Sequence, residues 1–189
     1  MNALIYDFAR WLDTHAWSTG LHESYYMYNW IESTHVLALM LSLGMLFLID
    51  LRMLGLALPQ VPATTIAQRL NVPMLAGFSV MIITGLLLFY AIPVRTSQSL
   101  WFRIKVVLLV AAAFNAWLFH RRLRAAGGGW DAAPRAPLPL RVGAALSLLF
   151  WALIVMCGRF IAYDWFDCNA DPAPLIGALA GCVPGQEQF

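Results

Sequence analysis

Charge is scarce in this chain. Asp, Glu, Lys and Arg make up 12% of its 189 residues, where a soluble domain carries about a quarter. With 61% hydrophobic residues and a mean hydropathy of +0.69, that scarcity excludes a soluble globular protein. Recognisable soluble-enzyme motifs are lacking too: there is no phosphate-binding loop, nucleophile elbow, zinc-helix motif or paired-cysteine metal site. Classical soluble enzyme chemistry and a nucleic-acid partner are therefore not expected. Residues 1–17 have neither the basic start nor the apolar centre of a secretory signal, so this segment is expected to stay in the mature protein.

What the sequence does have is four long apolar runs. They predict an all-α membrane protein, a compact four-helix bundle with spans at about 30–56, 72–91, 100–120 and 140–163. Ahead of them, Leu4, Ile5, Phe8, Trp11 and Leu12 recur at helical spacing among Asp7, Arg10 and Asp13, the pattern of an amphipathic helix lying on the membrane surface. Tyr25, Tyr26, Tyr28 and Trp30 follow as an interfacial aromatic belt. The chain thus divides into an interfacial segment (1–29), a transmembrane domain (30–163) and a polar tail (164–189). Pro59 and Pro62 are expected to end span one, Asn71 to cap span two, and Pro93 to close it. Gly77 and Thr84, with Gly85 adjacent, mark a face of span two that a neighbouring helix can approach closely. Residues 125–139, with three prolines and Gly127 to Gly129, read as a loop.

The small net charge of +2 hides an asymmetry. The face reached after span one collects seven cations against two acids, and the opposite face five cations against eight acids. By the positive-inside rule the first face is cytoplasmic. Both termini are then periplasmic, and the expected location is the inner membrane of a bacterium. Cys168 and Cys182 both fall in the external tail, where disulfides persist, and a bridge between them is expected there. Two free thiols are the alternative. Cys157 falls inside span four and reads as a small packing residue.

Ionisable groups inside a span are costly and mark candidate sites. His35 and Asp50 bracket the apolar stretch of span one and lie about 22 Å apart along it, so they belong to opposite ends of the bilayer. At 100° per residue, Glu32, Ser42, Asp50 and Met53 fall on or near the stripe of His35, which predicts that this stripe faces the interior. Asp50 and Arg52 read mainly as an anchor at the cytoplasmic end. At the other end Glu32, His35, Arg103, Lys105 and Arg159 approach one leaflet, a set suited to an anion, a haem propionate or a quinone carbonyl. The alternative is that Arg103 and Lys105 snorkel to lipid phosphate and Arg159 pairs with Glu32 or Asp164. If haem is bound, His35 is the metal ligand. His120 is too far along the bundle to join it on one iron, which leaves His15, His22 or Met156 as second ligands. His120 and Arg121, Arg122 and Arg124 read as a basic anchor at the lipid surface, and Asn115 as an interhelical hydrogen-bonding group.

Several of these residues carry a resemblance. Glu32 and His35, Gly44, Asp50-Leu51-Arg52, Gly55, Pro73, Gly77, Thr84-Gly85, Phe89, Phe102, Lys105, Asn115 and His120 are similar to the pattern of an uncharacterised family of small bacterial inner-membrane proteins with four spans. The resemblance runs through about residues 30–124 and implies the fold and the membrane location without an activity. A looser likeness links the chain to four-helix b-type cytochromes. Three functions follow as expectations: a redox component holding haem b or quinone near the periplasmic leaflet and exchanging electrons with a membrane or periplasmic protein partner; a non-catalytic subunit or assembly factor of a larger complex; and a small transporter subunit, for which an inverted repeat is missing.

Overall fold

The computed structural model describes residues 2–127, 129–163, 166, 168 and 173–183. The protein is all-α. Its described residues form α1 (Asn2–Asp13), α2 (Ala16–Glu23), α3 (Tyr25–Leu54), α4 (Ala63–Ala91), α5 (Pro93–Ser97), α6 (Leu100–Ala125), α7 (Leu138–Ile161) and α8 (Pro174–Ala180). Helices α3, α4, α6 and α7 are long and apolar enough to cross a membrane. Their 24 to 30 residues correspond to about 36–45 Å, more than the roughly 30 Å of a hydrocarbon core, so their ends extend beyond it or the helices tilt. Exposed Leu37, Met40, Ile83, Leu86, Val107 and Val110 are the kind of surface that lipid covers.

The chain forms two compact units. The first comprises residues 1–35, 82–107 and 154–189, and the second residues 36–81 and 108–153. Each long helix contributes a shorter part to the first unit and a longer part to the second.

In the first unit α1 presents Tyr6 and Ala9 to Val94 of α5 and to Val183. Leu4, Phe8 and Trp11 remain exposed, so the amphipathic pattern has two apolar faces, one on protein and one available to lipid. Ser18 of α2 donates to the Tyr90 carbonyl at 2.7 Å. Arg103 joins the segments: its Nε donates to the Ser97 carbonyl at 3.2 Å and its Nη1 to Asn2 Oδ1 at 3.1 Å. Asn2 in turn donates to the Ala178 carbonyl. Cys168 and Cys182 are bonded to each other. Gly181, which ends α8 at φ +93°, leaves room for the Arg103 guanidinium where any Cβ would collide with it.

In the second unit Arg52, buried to 1% exposure, organises two loops. Its Nε donates to the Val61 carbonyl at 2.7 Å, and its Nη groups donate to the carbonyls of Asp131, Ala133 and Pro134. Arg52 is thus more than the end anchor expected of it. Its planar fork satisfies four carbonyls that no helix provides for. Beneath it Met53, Ala63, Ala136, Leu140 and Ala144 form a buried apolar cluster.

Two boundaries differ from expectation. Span one begins at Tyr25 and ends at Leu54, ahead of the prolines. Gly55 adopts φ +76°, its N–H bonds to the Arg52 carbonyl, and the Leu56 N–H bonds to the Leu51 carbonyl, a Schellman closure that terminates the helix. Span two is one continuous helix from Ala63, with Pro73 inside it and Asn71 in its third turn rather than at a cap. Its first turn is capped from a distance: Asp131 Oδ1 accepts the Thr64 N–H at 2.8 Å, and Oδ2 accepts the Thr64 hydroxyl.

Two outcomes follow. Arg52→Ala should lower unfolding stability in detergent by about 3 kcal/mol, since hydrogen bonds from a charged donor contribute about 1.5–3 kcal/mol each and some carbonyls rehydrate. Arg52→Lys should recover less than half of that loss. An alanine variant that melts with the native protein would remove Arg52 as the organiser. For Asp131, burial opposes ionisation most strongly, yet the Thr64 hydrogen bonds and the Arg52 charge together hold its carboxyl below the usual range. A depressed folded-state value stabilises above the unfolded carboxylate range of about 3.9 and loses that contribution as pH falls through the folded value. Melting curves recorded from neutral to strongly acidic pH should therefore drop less steeply for Asp131→Asn than for the native chain.

Candidate functional site

The first unit contains a polar layer set one helical turn below a layer of rings. Phe89 of α4 stacks on Phe102 of α6 with centroids 5.4 Å apart, and Trp101 of α6 packs on Phe160 of α7 at 4.6 Å. These pairs register the three helices. One turn toward the middle of each span, at spacings of three or four residues, lie Gly85, Lys105 and Cys157.

His35 of α3 belongs to the same layer, because a Cβ on Gly85 would stand 3.2 Å from its Cε1. The missing side chain lets the imidazole come close to α4. There His35 Nδ1 meets Thr84 Oγ1 at 3.0 Å. The Thr84 side chain is buried, whereas His35 is partly exposed.

Lys105 is the only lysine of the chain. It is partly buried, its charge interacts with the Cys157 thiol, and its Nζ lies 3.5 Å from where a Cβ of Gly158 would be. Among the described residues no carboxylate pairs with it. An ammonium among apolar helices without a counter-ion is costly. Two glycines, Gly85 and Gly158, thus flank the two basic groups of the layer. Above them the Trp101 indole N–H is buried with no acceptor among the described residues.

The other members of the expected cluster are placed elsewhere. Arg103, two residues from Lys105, turns to Ser97, Asn2 and Gly181. Arg159 is exposed; it donates to the Tyr163 hydroxyl at 2.8 Å and its guanidinium lies over that ring at 4.8 Å. Glu32, expected as its partner, is exposed and lies in the electrostatic surroundings of Tyr28 together with Arg95; Asp164, the other expected partner, lies outside the described residues. The stripe of span one is therefore interior at Ser42, Asp50 and Met53 but not at Glu32.

Of the expected second haem ligands, two have other partners and one is half exposed. A ring nitrogen of His15 bonds to the Trp11 carbonyl at 2.9 Å, His22 sits edge-on to Tyr28, and Met156 is 50% exposed. Among the described residues no group of three or more His, Cys, Asp and Glu side chains is arranged to hold a metal ion.

The sequence pointed to His35 and Lys105 but not to their partners. Thr84 and Gly85 read there as packing residues, and Cys157 as filler. One available signal was that the sole lysine shares a helix whose other cations are all arginine.

No curated protein and no solved structure matches the chain. A model of a family of unknown function, DUF6644, matches residues 13–164, most of the sequence, and the chain belongs to that family.

Proposed function

We propose that this chain is a membrane redox component that holds the carbonyl head of a quinone between His35 and Lys105. The observation that carries the reading is the Lys105 ammonium, set in the same layer as an imidazole and paired with no carboxylate among the described residues. A quinone carbonyl is an acceptor that such a donor lacks, and a charge-assisted hydrogen bond to it offsets the cost of the buried charge. The ring layer of Phe89, Phe102, Trp101 and Phe160 suits a planar apolar head group, and the glycines on α4 and α7 let the two basic side chains lie close to the helix backbones. Conversion of a bound quinone to quinol takes two electrons and two protons. His35 and Lys105 are placed to deliver protons, and a membrane or periplasmic protein partner supplies the electrons. The distribution of Arg and Lys supports a position of this layer near the periplasmic leaflet of a bacterial inner membrane, with both termini on that side.

One observation favours haem b as a second reading. If Nδ1 donates to Thr84, the His35 tautomer is set so that Nε2 carries the lone pair that binds iron. Solvent extraction and an optical spectrum of the purified protein separate these readings from each other and from a cofactor-free subunit. Quinone should be recovered in near-stoichiometric amount, with no reducible Soret band. Lys105→Met should cut the recovered quinone about tenfold, the loss expected from removing about 1.4 kcal/mol of binding. Gly85→Val should do the same by displacing His35. A Soret band that disappears in His35→Ala would replace quinone by haem, and quinone retained undiminished in Lys105→Met would overturn the assignment.

A further inference from the structure

A second set of polar groups lies in the second unit, apart from the layer described above. Asp50 of α3 is 4% exposed. Its carboxyl faces the Ser147 side chain of α7, and its Oδ2 is buried with no hydrogen-bonding partner among the described residues. The nearest cation in sequence does not neutralise it, because Arg52 directs its donors to the carbonyls of Val61, Asp131, Ala133 and Pro134. Arg141, the other charge on α7 in this unit, makes no ion pair with it among the described residues.

Asn115 of α6, 8% exposed, reaches the same stripe of α7. Its Nδ2 donates to the Gly143 carbonyl at 2.9 Å, one helical turn before Ser147. That bond uses the amide's donor end, and among the described residues no donor is given to Oδ1. Asp50 and Asn115 therefore both meet one stripe of α7, at Ser147 and at Gly143 one turn before it, a stretch rich in acceptors and poor in donors. Such a set is what a hard cation requires. One carboxylate balances one positive charge, whereas a divalent ion would ask for more acids than the unit provides here.

We infer that Asp50, Ser147 and Asn115 form a binding site for a monovalent cation, sodium, within the membrane-spanning helices. Asp50 supplies the charge and its unpartnered Oδ2 the principal ligand. Ser147 and Asn115 add neutral oxygens, and the bound ion ties α3, α6 and α7 together.

The test uses the full chain in detergent, with sodium chloride as the only probe and choline chloride holding ionic strength constant in mildly alkaline buffer. Sodium should raise the melting temperature by about 3 °C at saturation, as binding to the folded state alone requires. Asp50→Asn should abolish that shift, and Ser147→Ala should weaken the apparent sodium affinity about tenfold. Should Asp50→Asn fail to fold, Ser147→Ala and Asn115→Ala carry the comparison, because both remove a neutral oxygen and leave the carboxylate. No sodium-specific shift in the native chain overturns the proposal, and so does a shift that survives unchanged in the variants. Stabilisation by acid alone, indifferent to sodium, would make Asp50 a proton site and equally overturn it.

Discussion

No water reaches the middle of a membrane-spanning helix, so each polar side chain there has to find its partner on another helix or on its own backbone. The rest of this structure depends on that constraint. Ser42 is satisfied by its own helix, donating to the Ala38 carbonyl at 2.7 Å. Gly77 lets α4 come so close that any Cβ there would overlap the Ser42 hydroxyl. Asn115 finds the Gly143 carbonyl, His35 finds Thr84, and Arg52 finds four loop carbonyls. Where a partner exists, a small residue usually stands nearby, because interhelical hydrogen bonds form only between closely packed backbones.

Long apolar runs made the four spans legible, since length and hydropathy are local properties. The boundaries were less legible where the decisive contact is distant. Asn71 followed by Val72 and Pro73 looks like a cap followed by a proline in the first turn. The true start of α4 is held by Asp131, 67 residues further along the chain, and no local pattern announces it. The end of α3 was legible in principle, because a glycine after an apolar run is the usual αL terminator. Pro59 and Pro62 obscured it by offering a stronger but later stop.

The candidate site shows the same division. Helical spacing assigned His35 and Lys105 their depth, because rise per residue is constant. Direction around the helix was not legible for the arginines. Arg103 and Lys105 differ by about 200° around α6, and only the tertiary fold shows that the first faces Asn2, 101 residues away. Arg159 had an aromatic partner at the i+4 position, Tyr163, which helical geometry favours over any partner on a separate element. Depth alone does not bring side chains together, and of the five residues expected at one leaflet Arg103 and Arg159 take other partners and Glu32 is exposed.

Arginine and lysine also behave differently in this fold, for a reason in their chemistry. Arg52 and Arg103 are held by carbonyl and amide oxygens spread in a plane, which suits a delocalised fork that offers five donors and is weakly hydrated. An ammonium is compact and strongly hydrated, so neutral carbonyls compensate it less well when water is removed. Replacing Lys105 with arginine during the building of such a helix would have provided a group able to reach backbone oxygens and settle as structure. Retaining a lysine beside a thiol and a glycine leaves a localised charge that helix packing does not consume. The polar groups that packing consumes explain how the helices hold together, and Lys105 and Asp50 Oδ2, which it does not, are where chemistry beyond packing is to be sought.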